Sequence, residues 1–576
     1  MKRSSIVRVL LLSATLSALT GPSMAQRGKK PKPVVEAKPT TTQTHDLDEG
    51  GSKTPTKAAS ADTMQAQAGQ MTEAAAQAKR LFDAGDQWGK AALALDRVRK
   101  GETSDDEGNK QIAQYQLAIA LFRLEQYQAS YAILSEIADK PNHLKFNETL
   151  LWLAKLASVL PEPADIVERV GKYNNEQIAK FNTDKQRELF WQLNYLLGRY
   201  KYRNQQFDDA LGLFSKVDKQ SKFYVHSQFF SGVSHINLKR SVPAVQSFQK
   251  VATAIEDGVE GVEDEARMRD LAFLSMARTY YSASIRLDEN NSPTIDEQKL
   301  SAAVKYWNKV DVASEYWLDS LFEESWAFFM AGDYPHALGN IHTINSPYFP
   351  NSHYPEAEII RAIIYFSNCQ YDDAETIATK FNNKYQPIYD ELTKILGRFK
   401  GDDQDETFYK FLVSVREGKA DLKPNVKPLV ENSLSDRQLL RNIEYVKELD
   451  DEASRFKKLE GAFQSSTLGA DVRDALDNAR QIAVRNAGQL AKSRYQRYLE
   501  DLNEHLRNSA KILIDVTAGR RNQLDTAIAG GQVSQVESKA NVVKADEEHV
   551  LWPFDGEYWR DELGFYRQTI TSKCGR

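Results

Sequence analysis

The chain has 576 residues, 41% of them hydrophobic and 27% charged, a balance that can bury a core and is not that of a disordered protein. Its formal charge of -5, from 75 basic and 80 acidic side chains, leaves no global field for a polyanion, so no nucleic acid is expected as a partner. Two cysteines exclude a disulfide-dense scaffold, a multi-cysteine zinc site and an iron–sulfur centre.

Met1-Lys2-Arg3 with Arg8, the apolar run from Val9 to Leu19 and the small residues around Met24 read as a cleaved secretory signal over 1–25. The alternative is an uncleaved anchor, for which the run is about half the roughly 20 residues a bilayer requires. The first cysteine is Cys369, so no lipid attachment is expected after the cleavage site. The mature chain is therefore expected outside the cytoplasm, exported by the general secretory route and periplasmic in a Gram-negative source. No later stretch is long and apolar enough for an integral membrane span. Residues 26–60, with Pro31, Pro33, Pro39 and Pro55 and a basic run from Arg27 to Lys32, read as a disordered or polyproline-like leader.

From about 70 to 400 the chain repeats. Gly198, Ala210, Phe214, Lys216 and Val217 recur 34 residues later as Gly232, Ala244, Phe248, Lys250 and Val251. Ala303, Trp307 and Val310 recur as Ala337, Ile341 and Ile344, and Tyr365, Tyr371, Ala374, Ala378 and Phe381 continue the series after a three-residue slip. Each unit reads as two antiparallel helices, with small residues where the pair approaches closely and large ones filling the gap to the next pair. Residues 145–174 barely keep the pattern, and the polar stretch 283–298 reads as an insertion.

Leu197-Gly198, Phe207, Ala210 and Phe214, with Ala277 and Tyr280, Tyr334 and Ala337, and Tyr371 and Ala374, resemble the tetratricopeptide repeat. Lys201 and Ser241 depart from the family's aromatic positions. The resemblance implies an all-α, right-handed helical solenoid of about seven pairs whose first helices line a groove for a peptide or partner helix. Carried over position by position, the lining is Tyr195, Arg199, Tyr202, Arg203, Phe229, Val233, Arg278, Tyr281, Phe322, Trp326 and Phe329. Aromatic and arginine side chains are the mix found at binding hot spots, although aromatic residues at helical spacing also build ordinary core.

The acidic run after Gly401 reads as a solvated loop, and Pro424 and Pro428 mark a break. A long-helix region then spans 425–548. A helix over 434–465, capped near Ser435, carries Leu439, Ile443, Val446 and Ala453. A second helix from about Asp471 carries Leu476, Ala483 and Leu490, then Leu499, Leu502, Leu506, Leu513 and Val516. With Gly461 and Gly469 as a bend, the simplest arrangement is an antiparallel coiled-coil hairpin. Its stripes serve a lever arm, a homodimer seam through 434–516, or a plain bundle capping the repeats.

The segment 549–576 holds Trp552, Phe554, Tyr558, Trp559, Phe565 and Tyr566, so dense a set of rings that it must dock on its own solenoid or on another protein. This ending, with residues 346–374, is similar to exported tetratricopeptide proteins of the deltaproteobacterial gliding-motility apparatus, of the adventurous gliding protein T type. That likeness implies an envelope scaffold. In an exported chain Cys369 and Cys574 either pair, stapling the tail to a repeat, or remain free thiols.

Neither a phosphate loop, a nucleophile elbow, a His-Glu-x-x-His pair nor a dinucleotide turn is present, and His336, His342 and His353 do not share a helix face. The expectation is a non-enzymatic scaffold without cofactor or metal, binding an envelope protein or peptide. Two other classes stay open. One is a cell-wall enzyme using Glu323 or Glu324 beside Trp326 as a shielded general acid, and the other is a structural coiled-coil dimer.

Overall fold

The computed structural model describes residues 66–289, 293–350, 352–433, 436–528, 551 and 554–574. The secretory-signal and leader readings, and Trp552, lie outside the described residues. Regular structure within them is helical apart from one antiparallel hairpin, Ile285–Leu287 paired with Pro293–Ile295. That hairpin falls inside the stretch read as an insertion, where it leaves the helix phase on either side undisturbed.

Helices pair in chain order as Glu73–Ala84 with Trp88–Arg99, Glu107–Arg123 with Tyr127–Ala138, Phe146–Leu156 with Ile166–Val170, and Arg187–Arg203 with Phe207–Phe214. Tyr224–Asn237 with Ser241–Glu256, Glu265–Ser284 with Glu297–Trp307, Trp317–Ala331 with Tyr334–Ile344, and Pro355–Ser367 with Tyr371–Leu396 complete eight pairs. The third pair is irregular. Its second half breaks into the 3-10 turn Glu162–Ala164, Ile166–Val170 and Asn175–Ala179, which is why the pattern fades over 145–174 and a unit escapes the sequence count.

The turn within a pair is itself repeated. Glu125, Gln205, Lys239 and Cys369 have φ of 58°, 60°, 58° and 56°, and Gly332 has 81°, so each turn passes through the left-handed region. The next residue's N–H then reaches back to a carbonyl five positions earlier, as in Gln206 to Lys201 and Arg240 to His235, which satisfies a helix end in the manner of a Schellman motif. Helix starts are closed by aspartates. Asp106, Asp264, Asp296 and Asp436 each accept an N–H from the first turn.

Beyond the repeats, Asp403, Asp405 and Glu406 begin the helix Gln404–Arg416 instead of forming the expected loop; acidic side chains there complement the positive helix start. Lys427–Ser433 follows, then Arg437–Phe456, Gly461–Gln464 and the 62-residue helix Thr467–Ile528, about 90 Å long. The cap of Arg437–Phe456 is Asp436, next to Ser435, and the helix stops at Phe456, short of the expected 465. Asp450 meets Arg480 at 2.6 Å and Asp436 meets Arg494 at 2.7 Å, pairings that make the two long helices antiparallel.

This hairpin is not free-standing. It lies along the repeats from one end to the other: Lys100 contacts Asp471 at 3.0 Å, and Arg520 contacts Glu375 at 2.6 Å. Gly519 sits against Tyr371 and Gly488 against the Asp405 carbonyl, positions where a Cβ would come within 2.6 Å and 1.8 Å. Tyr445, Val446, Leu449 and Phe456 join the core of the first four pairs. Leu499, Leu502, Leu506, Ile512 and Val516 join the core that runs from Trp326 to Val415.

The tail docks in cis. Gln568 N–H donates to Pro335 O at 3.1 Å, Gly564 N–H to Thr343 Oγ1 at 3.1 Å and Lys573 N–H to Asn368 O at 2.8 Å. Cys369 and Cys574 are joined by a disulfide across a sequence separation of 205. Phe554, Tyr558 and Tyr566 surround the His342 ring at 4.5, 4.8 and 5.0 Å between centroids.

Candidate protein-binding groove

Tyr195, Arg199, Tyr202 and Arg203 all lie on Arg187–Arg203, where positions three and four apart share a face. Tyr195 is buried and stacks on Phe223, while Tyr202 packs on Phe207 and Phe230. Arg199 lies over the Phe230 ring at 4.2 Å and donates to Tyr195 Oη at 3.0 Å. Both arginines converge on Glu162, Arg199 by a short ion pair and Arg203 at 2.9 Å. Arg441 of the hairpin reaches the other oxygen of the same carboxylate at 2.7 Å. Burial raises the Glu162 pKa, but Arg199, Arg203 and Arg441 outweigh it and hold the carboxyl at about 2. Glu162 is thus a charged hinge-pin between the repeat face and the hairpin.

Further along the same face Arg278 grips Glu323 with Nε at 2.8 Å and Nη2 at 2.6 Å from Oε1, and Trp307 Nε1 donates to Oε2 at 3.3 Å. Tyr281 is buried against Trp307, Phe229 packs on Phe230 and Phe248, and Val233 and Phe322 are half-buried in the same core. Trp326 and Phe329 are buried edge to face. Glu356 lies beside the Trp326 indole and faces Asp501 and Glu504 of the long helix. Of the eleven positions, Arg199 and Arg203 meet the hairpin through Glu162, and Phe322, Trp326 and Phe329 share a core with the long helix, while Phe229, Val233 and Tyr281 pack among repeat side chains.

What holds Arg437–Phe456 there is specific. The Glu452 carboxyl group is fully buried and accepts Gln128 N–H at 2.9 and 3.1 Å, at the start of Tyr127–Ala138. Tyr445 Oη donates to Gln128 Oε1 at 2.9 Å. Arg437 lies 3.7 Å from Asp264 and 3.5 Å from Glu315. Glu162, Gln128, Arg441 and Glu452 carry no sequence signal: they are single polar residues, up to 324 positions from their partners.

Glu324 has one property of a general acid, a carboxyl pushed up to about 7, chiefly by burial and opposed by the Asn340 hydrogen bond. It is only 4% exposed and its Oε2 is taken by Asn340 Nδ2 at 2.8 Å, inside a helix–helix contact that offers a substrate no approach. Glu323 is committed to Arg278. Among the described residues no three His, Cys, Asp or Glu side chains are placed to hold a metal ion, and no helix is long and apolar enough to cross a membrane.

Neither a family model nor a curated protein matches the chain. Among the solved structures that match, a Rap protein complexed with competence and sporulation factor aligns over 71% of this chain and 97% of that one at 14% identity, with a TM-score of 0.24. At that score nothing transfers from one chain to the other. The all-α helical-repeat architecture stands on the helices and turns themselves.

Proposed function

We propose that the chain is a non-enzymatic interaction scaffold whose repeat face binds a helical segment of a protein partner, with Arg437–Phe456 occupying that face in the absence of the partner. The observation that supports this reading is the seating of that helix. Its Arg441 shares Glu162 with the groove residues Arg199 and Arg203, and its Tyr445 and Glu452 engage Gln128 on the second helix of another repeat. The envelope setting rests on the leader sequence, and a gliding-motility assembly rests on the sequence likeness of 346–374 and the aromatic ending.

Affinity capture from cross-linked envelopes tests it. Arg441→Glu with Glu452→Lys, which loosens the hairpin, is expected to raise the amount of a defined partner captured. Arg199→Glu with Trp326→Ala, in protein that stays helical, is expected to lower it. An identical captured set from the native chain and both variants would overturn the reading.

A further inference from the structure

Four large side chains on and beside the docked tail are exposed: Tyr348 at 49%, Phe554 at 49%, Trp559 at 55% and Phe565 at 69%. They do not belong to a loose end. The tail backbone is pinned at Gly564, Gln568 and Lys573, Tyr348 Oη reaches Tyr558 O at 3.4 Å, and the disulfide closes the far side. Tyr558, Tyr566 and His342 form the base from which these rings project. Between them Asp555, Glu557, Asp561 and Glu562 are exposed; the basic residues of the patch are Arg560, Arg567 and Arg361, the last paired with Glu358.

We propose that this surface is a second binding site, which docks a lysine- and arginine-rich segment of a protein partner. The backbone that carries the rings is already held in place, so a partner forming cation–π contacts on them has only side chains left to order. The interleaved carboxylates attract the same cations at the rim and steer their approach. The charge also chooses among occupants. Nucleic acid and anionic lipid are repelled, and a second copy in a two-fold contact would set carboxylates against carboxylates. The site is separate from the repeat face and does not rest on the hairpin reading.

The test uses the full, oxidised chain and a labelled twelve-residue peptide of repeated Arg-Ala-Lys, with repeated Glu-Ala-Glu as control. Trp559→Ala with Phe565→Ala is expected to weaken binding of the basic peptide about tenfold, the loss of roughly two cation–π contacts. Asp561→Lys with Glu562→Lys is expected to weaken it similarly and to remove most of its salt dependence. These positions are exposed, so helicity and the Cys369–Cys574 bond are expected to be unchanged in both variants. The proposal is overturned by basic-peptide affinities within about twofold of native in both variants. Equal binding of the acidic peptide overturns it too, as does a dimer in light scattering that Trp559→Ala with Phe565→Ala dissolves.

Discussion

Gly198 lies directly against the ring of Phe214, so close that a Cβ on the glycine would come 2.5 Å from Cε1. Thirty-four residues on, Gly232 meets Phe248 at the same 2.5 Å, so the register seen in the sequence is a repeated contact between the two helices of a pair. Both phenylalanines are fully buried and have no room to retreat. Gly198→Ala and Gly232→Ala are each expected to cost about 1–3 kcal/mol by overpacking, measured by urea denaturation. Gly198→Ala combined with Phe214→Leu should recover part of that loss, whereas simple additivity of the two changes would sink the explanation.

The turns offer the opposite experiment. Lys239 and Gln205 hold φ near 60° although each carries a Cβ, a conformation that costs a non-glycine residue about 1–2 kcal/mol. Lys239→Gly should relieve part of this against the extra freedom glycine brings to the unfolded chain, for a net gain of about 0.5–1 kcal/mol in a denaturation midpoint. The same change at Lys250, inside Ser241–Glu256, should destabilise by a similar amount, since there glycine only adds unfolded-state freedom.

These positions also show what the sequence made readable. Gly198 with Phe214 recurs at 34 as Gly232 with Phe248 because the physical requirement recurs, and that recurrence revealed the all-α repeat fold, whereas the turn conformation shared by Gln205 and Lys239 left no common residue to read. The course of the hairpin has no such periodic cause. Its stripes at Leu499, Leu502 and Leu506 call for an apolar neighbour without naming one, so a dimer seam, a bundle and the observed bed on the repeats satisfy them equally. The partner of Arg199 and Arg203 was hidden for a related reason. Glu162 comes from the irregular third unit, where helix periodicity fails and position cannot be carried over from neighbouring repeats.

Stability should fall as pH rises from about 6.5 to 8. Burial pushes Glu452 up to about 8 and Glu324 to about 7; it pushes Glu356 to about 7 as well, there helped by Glu504 and Asp501. A carboxyl raised in the folded state stabilises fully below its unfolded pKa, and that contribution is lost as pH climbs through the folded value. Burial depresses His353 to about 3 and His505 to about 4, so their contribution grows up to about pH 6.5 and is constant above it. The window above 6.5 therefore isolates the carboxyls. Glu452→Gln keeps an acceptor for the Gln128 N–H and should flatten the decline, leaving the variant on the order of 1–2 kcal/mol more stable than native at pH 8. An unchanged slope in denaturation midpoint against pH would show that Glu452 does not titrate there.

The tail should behave as one latch with two independent fastenings. Its backbone passes over Gly339, where a Cβ would lie 1.6 Å from the Tyr566 carbonyl oxygen, so only glycine leaves a lane for it. Its end is held by the Cys369–Cys574 bond. Cys574→Ser removes the covalent hold while leaving the lane and the Gly564 and Gln568 hydrogen bonds, and should cost about 2–4 kcal/mol. Gly339→Val blocks the lane while the covalent hold remains, so the tail is tethered but lifted. Hydrogen exchange separates the two. In Cys574→Ser, protection is expected to fall at Lys573 and persist at Gly564, whereas in Gly339→Val it should vanish at Gly564 and Gln568 together, and His342 should become accessible as the Tyr558 and Tyr566 rings leave it. Uniform loss across 554–574 in both variants would mean that the disulfide and the glycine lane are a single fastening, and that the tail docks only as a whole.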